Sequence, residues 1–411
     1  MSARPSEDTR SWINRSTLGV SFASLFSDVS HELATAVLPA VLLSIGAGPA
    51  SLGITEGIAD GISSVAKLWG GVATDRVRRR KPLASIGYLI TAVGIAAIGL
   101  TTRAWQVVLC RSAAWIGRGS RSAPRDFLMS EAAPPEHLGK AFGMERAGDA
   151  LGAVLGPLLA LSLIAAGLAP RQVMLWSLLP GLLAFLSMSV LVVERPEPPR
   201  PSSTKPTSLW RKWGDLGRPF RFYLVGILIF GSGDFSRTLL ILYAIQHLEG
   251  TLFSWTGATL AIALYVLHNA VSALAAFPLG ALTDRIGRRP VIVSGYLFAA
   301  ATTVGFALLP PRPWVLAALF VASGLYIACE EVSEKAYAVE LLPREVKGTG
   351  LGLLASVNGI GDMISSIAVG SIWAVFPNHP GYAFTFAAAL QFAGALTIVG
   401  TGRVPVTQQT K

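Results

Sequence analysis

Long apolar stretches, broken by short polar ones, recur along this chain from residue 17 to residue 401. Twelve can be read, at 17–45, 51–74, 82–101, 104–126, 139–167, 171–193, 221–247, 254–282, 290–309, 313–338, 348–376 and 380–401. A helix needs about 20 apolar residues to cross a bilayer, so each stretch predicts one membrane-spanning helix. The longest polar interruption, 194–220, contains ERPEPPRPSSTKPTS. Proline, serine and charge at that density cannot build a core, which predicts a linker. The expected organisation is a tail at 1–16, six helices at 17–193, the linker at 194–220, six helices at 221–401 and a tail at 402–411.

Composition narrows the class. Hydrophobic residues make up 52% of the 411 and charged residues 14%, against about 25% charged in soluble domains. That argues against a soluble enzyme, a disordered chain and a disulfide scaffold. Cys110 and Cys329 both lie inside apolar runs, so neither a disulfide framework nor a zinc site is expected. The first dozen residues are polar. No cleavable signal peptide is expected there, and the first span itself would direct the chain to the membrane.

The net charge of +10 does not point to nucleic acid, because no soluble basic domain carries it. It orients the helices instead. Basic residues crowd the loop after the second stretch (Arg76, Arg78, Arg79, Arg80, Lys81), the linker, and the loop after the eighth (Arg285, Arg288, Arg289). The alternate loops hold only Arg103, Arg171 and Arg312 as basic residues. Basic loops stay cytoplasmic, so both termini and the linker are expected in the cytoplasm of a bacterial inner-membrane protein.

The two halves repeat. A shift of 209 residues carries Gly71, Thr74, Asp75, Arg76, Arg79 and Arg80 onto Gly280, Thr283, Asp284, Arg285, Arg288 and Arg289. The same shift carries Glu131, Pro134, Gly139, Gly143 and Gly152 onto Glu340, Pro343, Gly348, Gly352 and Gly361. One offset serving such distant segments indicates a tandem duplication of a six-span unit in one orientation. Repeats of this kind place a binding site at their interface near mid-membrane.

Charge inside the spans has a period of three. Spans three, six, nine and twelve carry none, apart from Arg171 at the very first position of span six. Span one has Asp28, His31 and Glu32; span four has Arg111, Arg118, Arg121, Arg125 and Asp126; span seven has Asp234 and Arg237; span ten has Glu330, Glu331, Glu334 and Lys335. Each such charge costs about 2.5–3.5 kcal/mol on insertion scales, so these spans must face a polar interior. A water-accessible cavity lined by spans one, four, seven and ten is the simplest arrangement, and it is a transporter plan.

GGVATDRVRRRKP at 70–82 and GALTDRIGRRPV at 280–291 resemble the loop signature of the major facilitator superfamily. Arg78 stands where the usual glycine is, and Gly287 keeps it in the second copy. The resemblance implies an all-α membrane protein of twelve transmembrane helices, in two pseudo-symmetric six-helix bundles that work by alternating access. It also implies a cytoplasmic gate at these loops, closed by Asp75 and Asp284 with the basic residues Arg76, Arg79, Arg285 and Arg288. Gly148-x-x-x-Gly152-x-x-x-Gly156-Pro157 resembles the family's antiporter signature, which is associated with export. Leu158 and Leu159 depart from it, and close helix packing through small residues is the other reading. The segment 111–126 is similar to the basic fourth span of certain bacterial members.

Asp28, His31 and Glu32 lie at i, i+3 and i+4 and share one helix face. They are read as a proton or cation site, since burial favours a neutral carboxylate and histidine also carries protons. A structural ion pair, such as Asp28 with Arg118 or Arg237, is the plainer alternative. Asp28 with His31 would also suit a divalent metal as substrate, and the pattern resembles ferroportin-type metal exporters.

Asp234 and Glu330 are further proton-carrier candidates. Arg111 and Arg118 are expected either to clamp an anionic substrate or to neutralise Asp28 and Glu32. Arg237, His268, Asn358 and Asp362 are weaker substrate-binding candidates. The offset matches Arg121 and Arg125 with Glu330 and Glu334, which suggests ion pairs between halves that form and break with gating, Glu331 among them. No nucleophile–base arrangement and no phosphate-binding glycine loop stands out. Neither an enzyme nor an ATP-driven pump is expected, and no cofactor. The expectation is a proton-coupled exporter of a small molecule, functional as a monomer among membrane lipids. Divalent metal export and uptake of an organic anion are the alternatives.

Overall fold

The computed structural model describes residues 12–134, 137–194, 216–248, 256–342 and 347–400, apart from the side chains of Asp75, Gly139 and residues 347–349. Residues 1–11, most of the linker, residues 249–255 and residues 401–411 are among those outside the described set. The described chain is all helical. The first repeat holds α1 (Arg15–Ser44), α2 (Pro49–Arg76), α3 (Arg80–Ala97), α4 (Ala104–Ala132), α5 (Leu138–Ala165), α6 (Pro170–Trp176) and α7 (Leu178–Leu186). The second holds α8 (Arg218–Gly231), α9 (Arg237–His247), α10 (Gly257–Ile286), α11 (Arg288–Leu308), α12 (Pro313–Leu341), α13 (Lys347–Val375) and α14 (Gly381–Gly400). Nine helices among the described residues are long and apolar enough to cross a membrane. The charge-bearing α2 and α4 and the broken seventh span fall outside that criterion.

Contacts divide the chain into two compact units. Unit 1 takes residues up to 203 together with 240–266; unit 2 takes 204–239 and everything from 267. Residues 240–266, part of the second repeat by sequence, therefore pack with the first unit. Inside unit 1, α1 packs on α5 and α7, and α3 and α2 pack on α4. Inside unit 2, α8 packs on α13 and α14, and α11 on α12 and α14. The pairings α1–α5, α1–α7, α3–α4 and α3–α7 recur as α8–α13, α8–α14, α11–α12 and α11–α14, as a duplicated unit requires.

Helix ends are tied by side chains. The Asn14 carboxamide oxygen accepts from the amides of Ser16 and Thr17, the reciprocal arrangement that satisfies the first turn of a helix. Its Nδ2 donates to the carbonyl of Ala132, 2.7 Å away, joining the start of α1 to the end of α4. Glu194 does the same for α3, accepting from the backbone amides of Arg80 and Lys81. A carboxylate there also meets the positive end of the helix dipole. The linker by sequence thus begins with a residue that caps the first unit.

Two expected spans are interrupted. The sixth is split between α6 and α7 and ends in a π turn at Ser187–Leu191. The seventh breaks at Ser232–Ser236, in the run Gly231-Ser232-Gly233-Asp234. Backbone groups freed inside a membrane must find other partners. Here Gln391 of α14 donates to the carbonyl of Gly233 at 3.1 Å. The amide of Ser236 donates to the Ser366 hydroxyl of α13 at 3.1 Å. Gln391 is fully buried in a helix that carries no charged residue, and the break accounts for the presence of a buried amide there.

Candidate functional site

In unit 1 the polar residues of α1, α2, α4 and α5 converge. Three glycines one helical turn apart set the spacing. A Cβ on Gly148, Gly152 or Gly156 would stand 3.0, 2.7 and 2.7 Å from the carbonyl oxygens of Ser21, Leu25 and Val29. The glycine motif of α5 is therefore a packing seam against α1. The Cβ atoms of Asp28 and Glu32 lie against Gly152 and Gly156, so the seam also fixes where these two carboxylates sit.

The carboxylates of unit 1 mostly have arginine partners. Arg111, 1% exposed, grips Glu56 of α2, with Nη2 3.0 Å from both carboxylate oxygens and Nε 3.3 Å from one. Its guanidinium also lies over the Trp115 ring, 3.8 Å from the centroid. Arg118 stands 3.4 Å from Asp28, one of the two ion pairs, with Arg237 the other, that the plainer alternative allowed. Arg125 reaches Glu145 at 2.8 Å and Asp126 at 2.9 Å. Arg121 is buried over the Tyr88 ring and donates to the Ser27 hydroxyl.

Glu32 is different. Its Oε2 accepts from the Tyr265 hydroxyl at 2.6 Å, and its Oε1 lies 3.6 Å from Nε2 of His31. The His31 ring packs on Trp115 with centroids 4.8 Å apart. The Trp115 indole in turn donates to Asp60 of α2 at 2.9 Å. One aromatic side chain thus touches the Arg111–Glu56 pair, the α1 histidine and a second α2 carboxylate.

Unit 2 uses other partners. Asp234 sits in the break of the seventh span, at the N-terminal end of α9, where a negative charge is favoured. Arg237 lies 3.7 Å away, and the Tyr326 hydroxyl donates to Asp234 at 3.3 Å. Glu334, 4% exposed, accepts from the Tyr296 hydroxyl and, at 2.7 Å, from the Asn358 amide. His268 is buried and hydrogen-bonded to the backbone of Phe320.

The expected site residues are thus partly brought together. Arg111, expected to face a substrate or the α1 carboxylates, is engaged by Glu56 because α2 packs directly on α4. Arg125 and Glu334 find their described partners inside their own units. Glu330 has one carboxylate oxygen buried without a hydrogen bond, and Glu331 is exposed. Among the proposed gate residues, the Asp75 side chain lies outside the described set, while Arg76, Arg79, Asp284 and Arg285 are exposed. Arg288 pairs with Glu340 at 3.4 Å. Gly287 takes the left-handed φ of 94° before α11; in the first copy, with Arg78, α3 instead starts after an extended Arg79. No group of three or more His, Cys, Asp or Glu side chains is placed to hold a metal ion among the described residues.

Glu56 and Asp60 were missed by sequence reasoning. Their i, i+4 spacing in α2, facing the basic fourth span, was the available signal.

The profile of the Major Facilitator Superfamily matches residues 20–366, and again 235–408. The chain belongs to this superfamily. An uncharacterized superfamily-type transporter of Methanocaldococcus jannaschii is 30% identical over 357 residues, 87% of this chain and 88% of its own. A probable 4-methylmuconolactone transporter of Cupriavidus pinatubonensis is 26% identical over 390 residues, 90% of this chain and 86% of its own. Among solved structures, the nucleoside transporter NupG matches with a TM-score of 0.78 at 13% identity, over 95% of this chain and 99% of that one; this is a likeness of fold. Membership makes the chain a multi-pass membrane transporter for small molecules and not an enzyme.

Proposed function

We propose that this transporter exports a small organic molecule in exchange for protons, with Glu32 as the proton carrier. The observation that carries the reading is the partner of Glu32. An arginine only donates hydrogen bonds, whereas a tyrosine hydroxyl both donates and accepts. Tyr265 can therefore donate to the Glu32 carboxylate and accept from the neutral acid without moving away. Asp28, held by Arg118, lacks that freedom. His31 beside Glu32 offers a second proton-binding nitrogen on the same helix face. The glycine seam of α5, which resembles the antiporter signature, presses on the backbone that carries both carboxylates. The resemblance to the antiporter signature, not the packing itself, is what favours exchange and the outward direction. Alternating access by a single chain in a prokaryotic inner membrane, with both termini cytoplasmic, completes the proposal.

Purified protein in liposomes tests it. A pH gradient should drive flux of a probe such as 4-methylmuconolactone, for which the Cupriavidus pinatubonensis relative is a probable transporter. Glu32→Gln should abolish gradient-driven flux while leaving exchange at equal pH. Full gradient-driven flux in Glu32→Gln removes the proposal.

Uptake of an organic anion is the second reading, favoured by one detail. Nη1 of Arg118 is buried without a hydrogen-bond partner, as are Nη1 of Arg111 and of Arg121, so these arginines keep donors for an anion. The sign of the gradient that accumulates the probe separates the two.

A further inference from the structure

Glu334 stands in unit 2 as Glu32 stands in unit 1, and more deeply. It is 4% exposed, and its two oxygens accept from neutral groups, the Tyr296 hydroxyl of α11 and the Asn358 amide of α13. Its own backbone carbonyl accepts from the Tyr223 hydroxyl of α8 at 3.0 Å. Tyr223 is edge-on to Tyr337, and the Tyr296 ring stacks on Phe230, so aromatic side chains wall this carboxylate on two sides.

The charges around it do not neutralise it. On its own helix, Glu330 one turn away is acidic, and the neighbouring Lys335 is exposed. On α13, Asp362 follows Asn358 by one turn. At the break before α9, Asp234 adds a further carboxylate, and Arg237 is already paired with it. Against Asp234, Glu330, Glu334 and Asp362, the described residues set Arg237 as the arginine within this cluster. A buried carboxylate whose adjacent cation, Lys335, is exposed to solvent and whose nearby arginine is paired with another carboxylate is expensive to keep ionised, and taking up a cation relieves that expense. The equivalent position in unit 1 is Arg125, which has Glu145 as its counter-charge.

We infer that Glu334 is a second proton-binding site, housed in unit 2, with Tyr296 as the hydroxyl that serves both its ionised and its neutral form. This assigns Glu334 a different role from gating. It rests on the proton-coupled reading above for its part in transport, but not for the binding of the proton itself. With Glu32 it gives the transporter two exchangeable protons, one in each unit.

Infrared difference spectra of the full chain in lipid nanodiscs, acid minus alkaline, test the assignment. Glu334→Gln should lose a protonated-carboxyl band that Glu32→Gln retains. The amide can keep both hydrogen bonds, so the fold should survive. Tyr296→Phe should shift the frequency of that same band, since one hydrogen bond is gone, and leave the Glu32 band in place. An unchanged spectrum in Glu334→Gln overturns the inference. So does loss of the band at constant acid pH when sodium replaces choline, because Glu334 would then be a metal-cation site. Loss of the band in Glu334→Gln with no change in Glu32→Gln would leave this inference standing and remove Glu32 as the carrier.

Discussion

Glu56 of unit 1 and Glu334 of unit 2 are both buried, at 2% and 4% exposure, and both sit in the interior of a long helix. Glu56 is gripped by an arginine through two of its nitrogens. Glu334 is held by a phenol and an amide. The first arrangement locks a charge in place, because losing or gaining a proton there would strand the buried arginine. The second sets no arginine against the carboxylate, and on the inference above it lets the charge change while the neighbours stay put. If Glu334 is the proton site inferred above, burial alone does not mark a working carboxylate in this protein; the chemistry of the partner does.

Glu56→Gln breaks that contrast most sharply. It leaves Arg111 buried with a neutral partner, and removal of one member of such a pair costs about 3–5 kcal/mol. A large fall in melting temperature, followed by tryptophan fluorescence in detergent, is expected. Gly152→Val comes next. Its side chain would enter the backbone of α1 at Leu25, and overpacking of this kind costs about 1–3 kcal/mol. The same melting assay should show it, together with impaired flux, since Asp28 and Glu32 ride on the displaced segment.

Glu334→Gln should be far milder than Glu56→Gln, within about 1 kcal/mol of wild type, because it strands no cation and the amide keeps hydrogen-bonding capacity. Equal melting losses in the two variants would erase the contrast between the units. Arg288→Ala is the smallest effect. Its pair with Glu340 is about one-third exposed on each side, and such pairs contribute about 0–1 kcal/mol. A shift barely above the error of the melting curve is expected, which makes it the control for the others.

Much of this was legible beforehand. The 209-residue offset anticipated the duplicated packing scheme seen in α1–α5 and α8–α13. The mid-span positions of Asp28 and Glu32 mark the α1 face, while the sequence leaves open whether Asp28 meets Arg118 or Arg237. The break at Ser232–Ser236 was missed because apolar residues on both sides read as one continuous span. The Gly-Ser-Gly run was its signal, and glycine-interrupted spans are where transporter sites gather. Glu56 was missed because attention to the charge-rich spans one, four, seven and ten passed over a carboxylate in span two.

By itself, the sequence determined the class, the duplication and which helices had to carry charge in the membrane. These follow from transfer energies of single residues, which depend on composition and order along the chain. Only the tertiary structure decided which charge meets which partner. Partner choice depends on distances of a few ångströms between helices far apart in sequence, and only the packing decides whether a buried carboxylate meets a tyrosine, as Glu32 and Glu334 do, or an arginine, as Glu56 does.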